Sequence, residues 1–368
     1  MIFILIIIFP LIVYIFGLIL FVVGNLKPKQ NKKQKFQPNV SVIVAIRDGE
    51  NSIKSLLDCL NSQIYKSKID FILVDDQSTD KTKDIIIEFC KERSNFKYVS
   101  STEGNQKYKY KKKALDAGIK HAKYELLLFT DVDCRPTQYW VSSMASNFDN
   151  NVDYIIGPAT VKNPKSLVSL YQSIDLDILM ASLNGITSLG LPCAASGQNQ
   201  GFRKSIYYKV CGYDKIKNLL GGDDSIFLNI VRRNFGKIKF VNAENALVFS
   251  RHENTIKNLI NQRLRWAIDG NLMYKYNFVF YILIVCTLMA NLIVLISPLL
   301  YVITAVKIQF FILVKFLFEL LLFQFSKSKL SFINFLFWFL IQPLYVVVIG
   351  LNTILAKNIS WRNRKYVN

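Results

Sequence analysis

Apolar runs at both ends of the chain enclose a central region in which apolar and polar residues alternate over short distances. Residues 1–24 carry no charge, and at about 1.5 Å per residue such a helix can cross the roughly 30 Å hydrocarbon core of a bilayer. Lysines follow this run instead of preceding it, which distinguishes it from a secretory signal peptide. We therefore predict a transmembrane anchor over residues 1–24, with the chain after it in the cytoplasm.

Apolar character returns near the C-terminal end, in three stretches at about 278–298, 300–325 and 332–356. The middle stretch contains Lys307, Lys315 and Glu319, whose charges would be costly at the centre of a bilayer. Three crossings would also put the basic tail outside, against the preference of Lys and Arg for the cytoplasmic side. We therefore interpret 278–356 as transmembrane and interfacial helices, of which two cross, and expect a basic cytoplasmic tail over 357–368.

The central residues 40–270 have the pattern of a folded domain. The β-rich runs VSVIVAI, FILVDD and LLLFTD alternate with helix-like stretches such as 51–62 and 82–93. This alternation predicts a doubly wound, parallel α/β sheet, on which ligands gather at the carboxyl ends of the strands. Four carboxylates stand at those predicted strand ends: Asp75, Asp76, Asp131 and Asp133.

Composition narrows the class of protein. The formal net charge is +20, and five lysines fall within a linker over residues 25–39, directly after the predicted anchor. That position favours an anionic membrane surface over nucleic acid. Six scattered cysteines and two distant histidines give little support to a disulfide framework, a structural zinc site or a Ser-His-Asp hydrolase. No phosphate-binding GxxxxGK[ST] loop or GxGxxG fingerprint is present.

Two acidic segments suggest how a nucleotide would be bound. Asp131 and Asp133 are one residue apart at a strand end, so both can present oxygens to Mg²⁺ or Mn²⁺, which would bridge nucleotide phosphates. Asp75 and Asp76 can accept the imide N–H of a uracil and bind ribose hydroxyls. Helix capping is the alternative for this second segment, and it is strongest for Asp80.

Three further motifs have both a functional and a structural interpretation. The GGDD motif at 221–224 supplies either a general base or a turn with a helix N-cap. In QRLRW, three residues share a helix face and fit either a diphosphate and sugar or a juxtamembrane belt: Gln262, Arg265 and Trp266. The basic run 107–113 is either a solvated face or a loop near the phosphates, where Lys113 is our candidate.

Taken in order, six segments of residues 40–270 resemble a membrane-anchored family 2 glycosyltransferase with a GT-A fold. They are VSVIVAIRDGEN, ILVDDQSTDKT, FTDVDC, GQNQGFRKSIYYKVCGYD, GGDD and QRLRW. The resemblance implies a nucleotide-sugar-binding domain with Asp224 as catalytic base and Asp133 as ligand of a divalent Mg²⁺ or Mn²⁺. It implies donor-nucleotide contacts from Ala45, Arg47, Glu50, Asp75, Asp76, Lys113 and Asp131. Acceptor or diphosphate contacts are expected from Asp223, Gln262, Arg265 and Trp266.

The function expected from these features is that of an inverting hexosyltransferase of cell envelope biogenesis. It would move a sugar from a nucleotide sugar, with UDP-sugars favoured, to a lipid or lipid-linked acceptor at the cytoplasmic face of the bacterial inner membrane. The stretch 165–189 fits either a helix along the membrane interface or an ordinary core helix. Alternatives are a subunit of a processive polysaccharide synthase and an inactive nucleotide-sugar-binding membrane protein. Nucleic acid is not expected as a partner, and the sequence points to no particular protein partner.

Overall fold

A computed structural model describes residues 2–28, 36–149, 151–304, 308–326, 330–355, 358–361 and 364–367. Lys307, four of the five linker lysines and the side chains of the basic tail lie outside the described residues. The helices are α1 (Ile2–Leu26), α2 (Glu50–Asn61), α3 (Thr82–Cys90), α4 (Lys111–His121), α5 (Trp140–Ala145), α6 (Leu167–Ser188), α7 (Lys204–Lys209), α8 (Ser225–Arg233), α9 (Ile256–Tyr276), α10 (Phe278–Leu295), α11 (Ser297–Thr304), α12 (Gln309–Gln324) and α13 (Phe332–Leu355).

The strands are β1 (Val40–Ile46), β2 (Ile69–Asp75), β3 (Phe96–Ser100), β4 (Leu126–Phe129), β5 (Arg135–Pro136), β6 (Tyr154–Ile156), β7 (Ala159–Val161), β8 (Gln200–Arg203), β9 (Ile238–Phe240), β10 (Val248–Ser250), β11 (Asn358–Trp361) and β12 (Arg364–Val367). Seven of them form the main sheet, in the order β3-β2-β1-β4-β8-β6-β9. A second sheet has the order β5-β10-β7, and β11 pairs with β12.

The first four strands of the main sheet run parallel, as the alternating pattern predicts. The two central strands, β1 and β4, are almost continuous apolar runs because helices cover both faces of the sheet. Side chains of β1 alternate between two cores, one formed with α4 and α8 and the other with α2, α3 and α5. In the β1–β2 register Ile46 lies opposite Asp75, so the loops after β1, β2 and β4 emerge at one edge of the sheet. The predicted doubly wound α/β fold is confirmed.

Helix α6 joins the domain to the apolar helices. It packs against β7 and β9 of the domain and against α1, α12 and α13. The crossing with α1 is very close, because a Cβ on Gly24 would lie 1.9 Å from the carbonyl oxygen of Gly185. Asn25 donates to the carbonyl of Ala181 at 2.8 Å and accepts from Asn184 at 2.6 Å. The stretch 165–189 is therefore a packed helix between two layers.

Within the described residues, three helical segments are long and apolar enough to cross a membrane: Ile6–Leu26, Phe278–Leu295 and Phe332–Thr353. The predicted middle stretch 300–325 is divided between α11 and α12. Two of its charged residues, Lys315 and Glu319, are buried within the protein, because each is 1% exposed and they form an ion pair of 2.6 Å. Gln342 of α13 accepts from the Lys315 amine at 3.0 Å, and Tyr14 of α1 donates to Glu319. Pairing of this kind offsets the cost that the sequence suggested.

We expect the glycine crossing to be essential for docking of α1. Gly24→Ala should lower the thermal unfolding temperature in detergent by several degrees, since the added methyl meets backbone. Gly17→Ala is the matched control on the same helix, because its Cβ would meet only the tip of the Leu283 side chain, at 2.6 Å. Alanine in a helix interior is otherwise stabilising by about 1 kcal/mol relative to glycine. Equal unfolding temperatures for both variants would contradict the crossing.

Candidate active site

The loops after β1 and β2 are bonded to each other at the edge of the sheet. Arg47 donates from Nη1 to the carbonyls of Asp76 and Gln77, at 2.7 and 3.1 Å. The backbone N–H of Asp76 donates to the carbonyl of Ile46 at 2.7 Å. Asp75 and Asp76 are both buried at this edge of the sheet. Ala45 lies one residue before the end of β1, opposite Val74.

Capping explains part of the second acidic segment. Asp80 accepts from the backbone N–H groups of Thr82 and Glu50, both at 3.0 Å. The carboxylate of Glu50 accepts from the N–H of Lys81 at 3.1 Å. Asp80 and Glu50 therefore hold the two loops together, and Asp80 has the structural role that the sequence left open.

The centre of the site is the ammonium group of Lys111, at the start of α4. Its Nζ lies 2.8 Å from Oδ1 of Asp131 and 3.3 Å from Oδ2 of Asp223. Burial lowers the pKa of this amine, but the two carboxylates outweigh that effect and raise it above its usual value. One cation therefore links the DxD strand end to the GGDD loop.

The position predicted for Lys113 is occupied by Lys111. The amine of Lys113 donates instead to Gln106 at 2.6 Å, within its own loop region. Successive residues at the start of a helix point about 100° apart, so three consecutive lysines have three different environments. The sequence does not separate them, and a contact of Lys113 with the donor phosphates stays a prediction.

The GGDD loop, residues 221–224, precedes α8 and carries two differently held carboxylates. Asp224 is the N-cap of α8 and accepts from the N–H of Ser225 and, at 3.0 Å, from that of Gly197. Both the turn and the N-cap foreseen for this motif are therefore present. A carboxylate that accepts two hydrogen bonds still has free lone pairs, so Asp224 can also accept a proton.

The fully buried Lys112 forms hydrogen bonds with the backbone of this loop. Its amine donates to the carbonyls of Leu219 and Gly221, the latter at 2.9 Å. Burial lowers the pKa of Lys112 to about 8.

Electrostatics give the carboxylates of the site different proton affinities. Burial would raise the pKa of Asp223, but Lys111 and Lys112 outweigh it, so the pKa falls below its usual value. Burial and the charge of Asp223 raise the pKa of Asp224 to about 6. Burial and the charges of Asp224 and Asp223 raise the pKa of Asp269, on α9, to about 8. A group with a pKa near working pH is suited to general-base catalysis, and both Asp224 and Asp269 meet this criterion.

Helix α9 carries the QRLRW residues, and its Asp269 accepts a hydrogen bond from Gly222 of the GGDD loop. Gln262 is buried and is hydrogen-bonded to Gln172 of α6 at 3.2 Å and to Glu253 at 3.3 Å. The guanidinium of Arg263 forms a 2.8 Å ion pair with Asp175 of α6. It also lies 4.2 Å from the ring centroid of Trp266, which is 38% exposed. Arg265 lies one turn before Asp269, so both are on the same side of α9.

Four residues of the site were missed by sequence reasoning: Lys111, Lys112, Arg263 and Asp269. The lysines were visible within the basic run, but nothing in the run showed which amine is buried. Arg263 occupies a variable position of QxxRW. Asp269 had one signal, its spacing of four from Arg265, which the motif does not include.

The residues at the end of β4 fit a divalent metal. Ligand atoms of Asp131, Asp133 and Cys134 lie within 4.8 Å of one another. Carboxylate oxygens are the ligands that Mg²⁺ and Mn²⁺ prefer. Cys134 is fully buried, and burial together with Asp133 raises the pKa of its thiol well above the usual value, so it remains a neutral packing group. The fit therefore rests on the two aspartates.

This chain matches the model of glycosyl transferase family 21 over residues 2–367. The protein therefore belongs to glycosyltransferase family 21, a family 2-like group, which confirms the resemblance seen in the sequence. It is 26% identical over 245 residues to the probable glycosyltransferase YdaM of Bacillus subtilis, an alignment covering 65% of this chain and 57% of the relative. It is 27% identical over 235 residues to a poly-β-1,6-N-acetyl-D-glucosamine synthase of Staphylococcus epidermidis, covering 63% and 54%. The chain thus spans little more than half the length of these relatives.

A solved structure shows the same fold. The mannosyltransferase PcManGT from Pyrobaculum calidifontis, in complex with GDP-Man and Mn²⁺, is similar with a TM-score of 0.60 and 14% identity, over 95% of this chain and 98% of that one. The protein therefore has a GT-A fold, and within its described residues three helices are apolar enough to span a membrane. The Mn²⁺ of that neighbour agrees with the predicted divalent cofactor.

Exchange of single lysines tests the assignment of Lys111. Lys111→Ala should lower sugar transfer by about 10- to 100-fold, because a hydrogen bond to a charged group contributes about 1.5–3 kcal/mol. Lys113→Ala should change it less than about threefold, since that amine contacts only Gln106. Initial rates of the two purified variants at equal folded fraction give the comparison. If Lys113 were the phosphate ligand, the order of the two effects would be reversed.

Proposed function

We propose that this protein is an inverting glycosyltransferase that moves a sugar from a UDP-sugar to a lipid or lipid-linked acceptor, at the cytoplasmic face of the bacterial inner membrane. The observation that carries the proposal is the position of Lys111, within 3.3 Å of both Asp131 and Asp223. It brings the strand end suited to the donor phosphates next to the loop that carries Asp224. Donor and base thus share one site.

The reaction is a single displacement at the anomeric carbon. The carboxylate of Asp224 takes the proton of an acceptor hydroxyl, whose oxygen forms the new glycosidic bond as the bond to the nucleotide diphosphate breaks. Attack from the face opposite the leaving group inverts the anomeric configuration. Asp75 and Asp76 would hold the uridine at the end of β2, through its imide N–H and ribose hydroxyls.

The leaving diphosphate needs positive charge nearby. Asp133 and Asp131 would hold the divalent cation, which supplies charge neutralisation at the phosphate oxygens when bound. The Lys111 amine adds a second positive charge beside Asp131. Asp223 keeps this amine next to the base loop.

The position of α9 next to the apolar helices supports a lipid-linked acceptor. Helix α9 carries Gln262, Arg265 and Trp266, packs against α13, and is followed directly by α10 at Asn277. Segments of α10 and α13 are apolar enough to span a membrane. Any acceptor bound along α9 would therefore lie beside the bilayer, with Trp266 at its surface.

A processive polysaccharide synthase is the second candidate. It is favoured by the similarity to the poly-β-1,6-N-acetyl-D-glucosamine synthase, although the chain covers only 54% of that relative. The two candidates predict different products. A single transfer adds one sugar to the acceptor, whereas a synthase gives a ladder of chain lengths on a polysaccharide gel.

Nucleotide release by the detergent-purified protein tests the proposal. We expect release from one member of a panel of UDP- and GDP-sugars, only with Mg²⁺ or Mn²⁺, and its loss on chelation. Asp224→Asn should reduce release by about 10²–10⁴-fold while UDP still binds, because it removes the proton acceptor and leaves the end of β2 unchanged.

The other outcomes separate the candidates. UDP binding without turnover in the presence of membrane lipids would favour the inactive binding protein. Absence of UDP and GDP binding would overturn the glycosyltransferase mechanism. Retained activity of Asp224→Asn would show that another group is the base.

The pH profile tests the state of Asp224. Its raised pKa of about 6 means that the base is protonated, and inactive, below that pH. We expect kcat/KM, which reports the pKa of the free enzyme, to fall about tenfold per pH unit below about 6 and to level off above it. The small residual activity of Asp224→Asn should not show this decrease at acid pH. An acid limb near pH 4, the ordinary range of a carboxylate, would contradict the buried environment described for Asp224.

A further inference from the structure

Asp269, in the middle of α9, touches the GGDD loop directly. Its Oδ2 accepts from the backbone N–H of Gly222 at 2.8 Å. Its Oδ1 would lie 2.7 Å from a Cβ on Gly221. Gly222 has a φ of 88°, in the region that favours glycine. The carboxyl group therefore fills the space beside Gly221 and accepts a hydrogen bond from the left-handed backbone of Gly222.

The other contacts of the loop come from within the α/β domain. Lys112 of α4 binds the carbonyl of Gly221, and Gln200 of β8 donates to the carbonyl of Asp223 at 3.3 Å. Gly197 donates to Asp224. Among these contacts only Asp269 belongs to the helix that also carries Gln262, Arg265 and Trp266.

We propose that Asp269 is a positioning residue that fixes the loop of Asp224 relative to α9, so that an acceptor bound along α9 meets the base at the correct distance. This inference rests on the proposed function. The spacing supports it, because Asp269 is one helical turn from Arg265 and the contact to Gly222 is to backbone. Misplacement of a reacting group by about 1 Å can cost about 10²-fold in rate, so one such contact is enough to matter.

A double-mutant cycle between Gly221 and Asp269 tests the contact. The φ of Gly221 lies outside the left-handed region, and the three atoms nearest to an added Cβ all belong to Asp269. Gly221→Ala and Asp269→Ala should each lower kcat by about 10- to 100-fold, with the KM for the UDP-sugar changed less than about twofold. In the Asp269→Ala background, Gly221→Ala should have little further effect, because the obstructing carboxyl group is gone.

Two further variants separate positioning from general destabilisation. Asp269→Asn keeps an oxygen for the Gly222 N–H and should recover most of the lost kcat. Thr255→Ala removes the N-cap of the same helix, where Thr255 Oγ1 accepts from Asn258 at 3.2 Å. It should lower thermal stability and leave kcat unchanged.

Several results would overturn the inference. Additive effects of Gly221→Ala and Asp269→Ala would show that the two residues act independently. Equal losses for Asp269→Asn and Asp269→Ala, or a matching loss for Thr255→Ala, would show a purely structural role.

Hydrogen exchange provides a readout that does not need the reaction. In Asp269→Ala, the amides of residues 219–225 should exchange faster than in the unchanged protein, whereas Thr255→Ala should leave them as they are. Unchanged exchange of this segment in Asp269→Ala would overturn the positioning role. If the unchanged protein releases no nucleotide from any donor, the proposed function fails, and the exchange result still decides whether Asp269 holds the loop.

Discussion

The site depends on one cation held between two carboxylates. Asp131 comes from the end of a parallel strand and Asp223 from a loop about 90 residues later, and both face the ammonium group of Lys111. Without that charge, the acidic strand end and the acidic loop would repel each other in a partly desolvated space. The lysine therefore allows the strand end with Asp131 and the loop with Asp223 to lie close together. Lys112 also stabilises this loop, because its buried amine donates hydrogen bonds to the backbone carbonyls of Leu219 and Gly221.

The apolar helices also contain buried charges that are paired with each other. Lys315 and Glu319 neutralise each other one turn apart, and Tyr14 and Gln342 contact the pair from two other helices. A single unpaired charge here would be costly, whereas a paired and hydrogen-bonded one specifies how α1, α12 and α13 fit together. The contacts of the Lys315–Glu319 pair thus help to determine how these helices pack, whereas their outer surface is apolar.

Much of the fold followed from local pattern, because buried parallel strands are continuous apolar runs and the chain places acids directly after them. This is why Asp75, Asp76, Asp131 and Asp133 could be assigned to one edge of the sheet before the structure was known. Contacts between distant segments had no such signal. Lys112 binds carbonyls more than 100 residues away, and Asp269 binds an amide 47 residues earlier, so only the tertiary fold brings them together. The same limit applies to α12, where hydropathy showed two charges but not the partners that neutralise them.

The contact between Gly24 and Gly185 has a consequence for how the enzyme meets its substrate. Because backbone packs directly against backbone at this point, α1 cannot shift relative to α6, the helix that packs against the α/β domain. The N-terminal helix is therefore a rigid support for the domain, not a flexible tether. On the proposed function, this support would fix the distance of Asp224 from the lipid surface. Acceptors would then be selected partly by the distance between their hydroxyl group and the lipid headgroups.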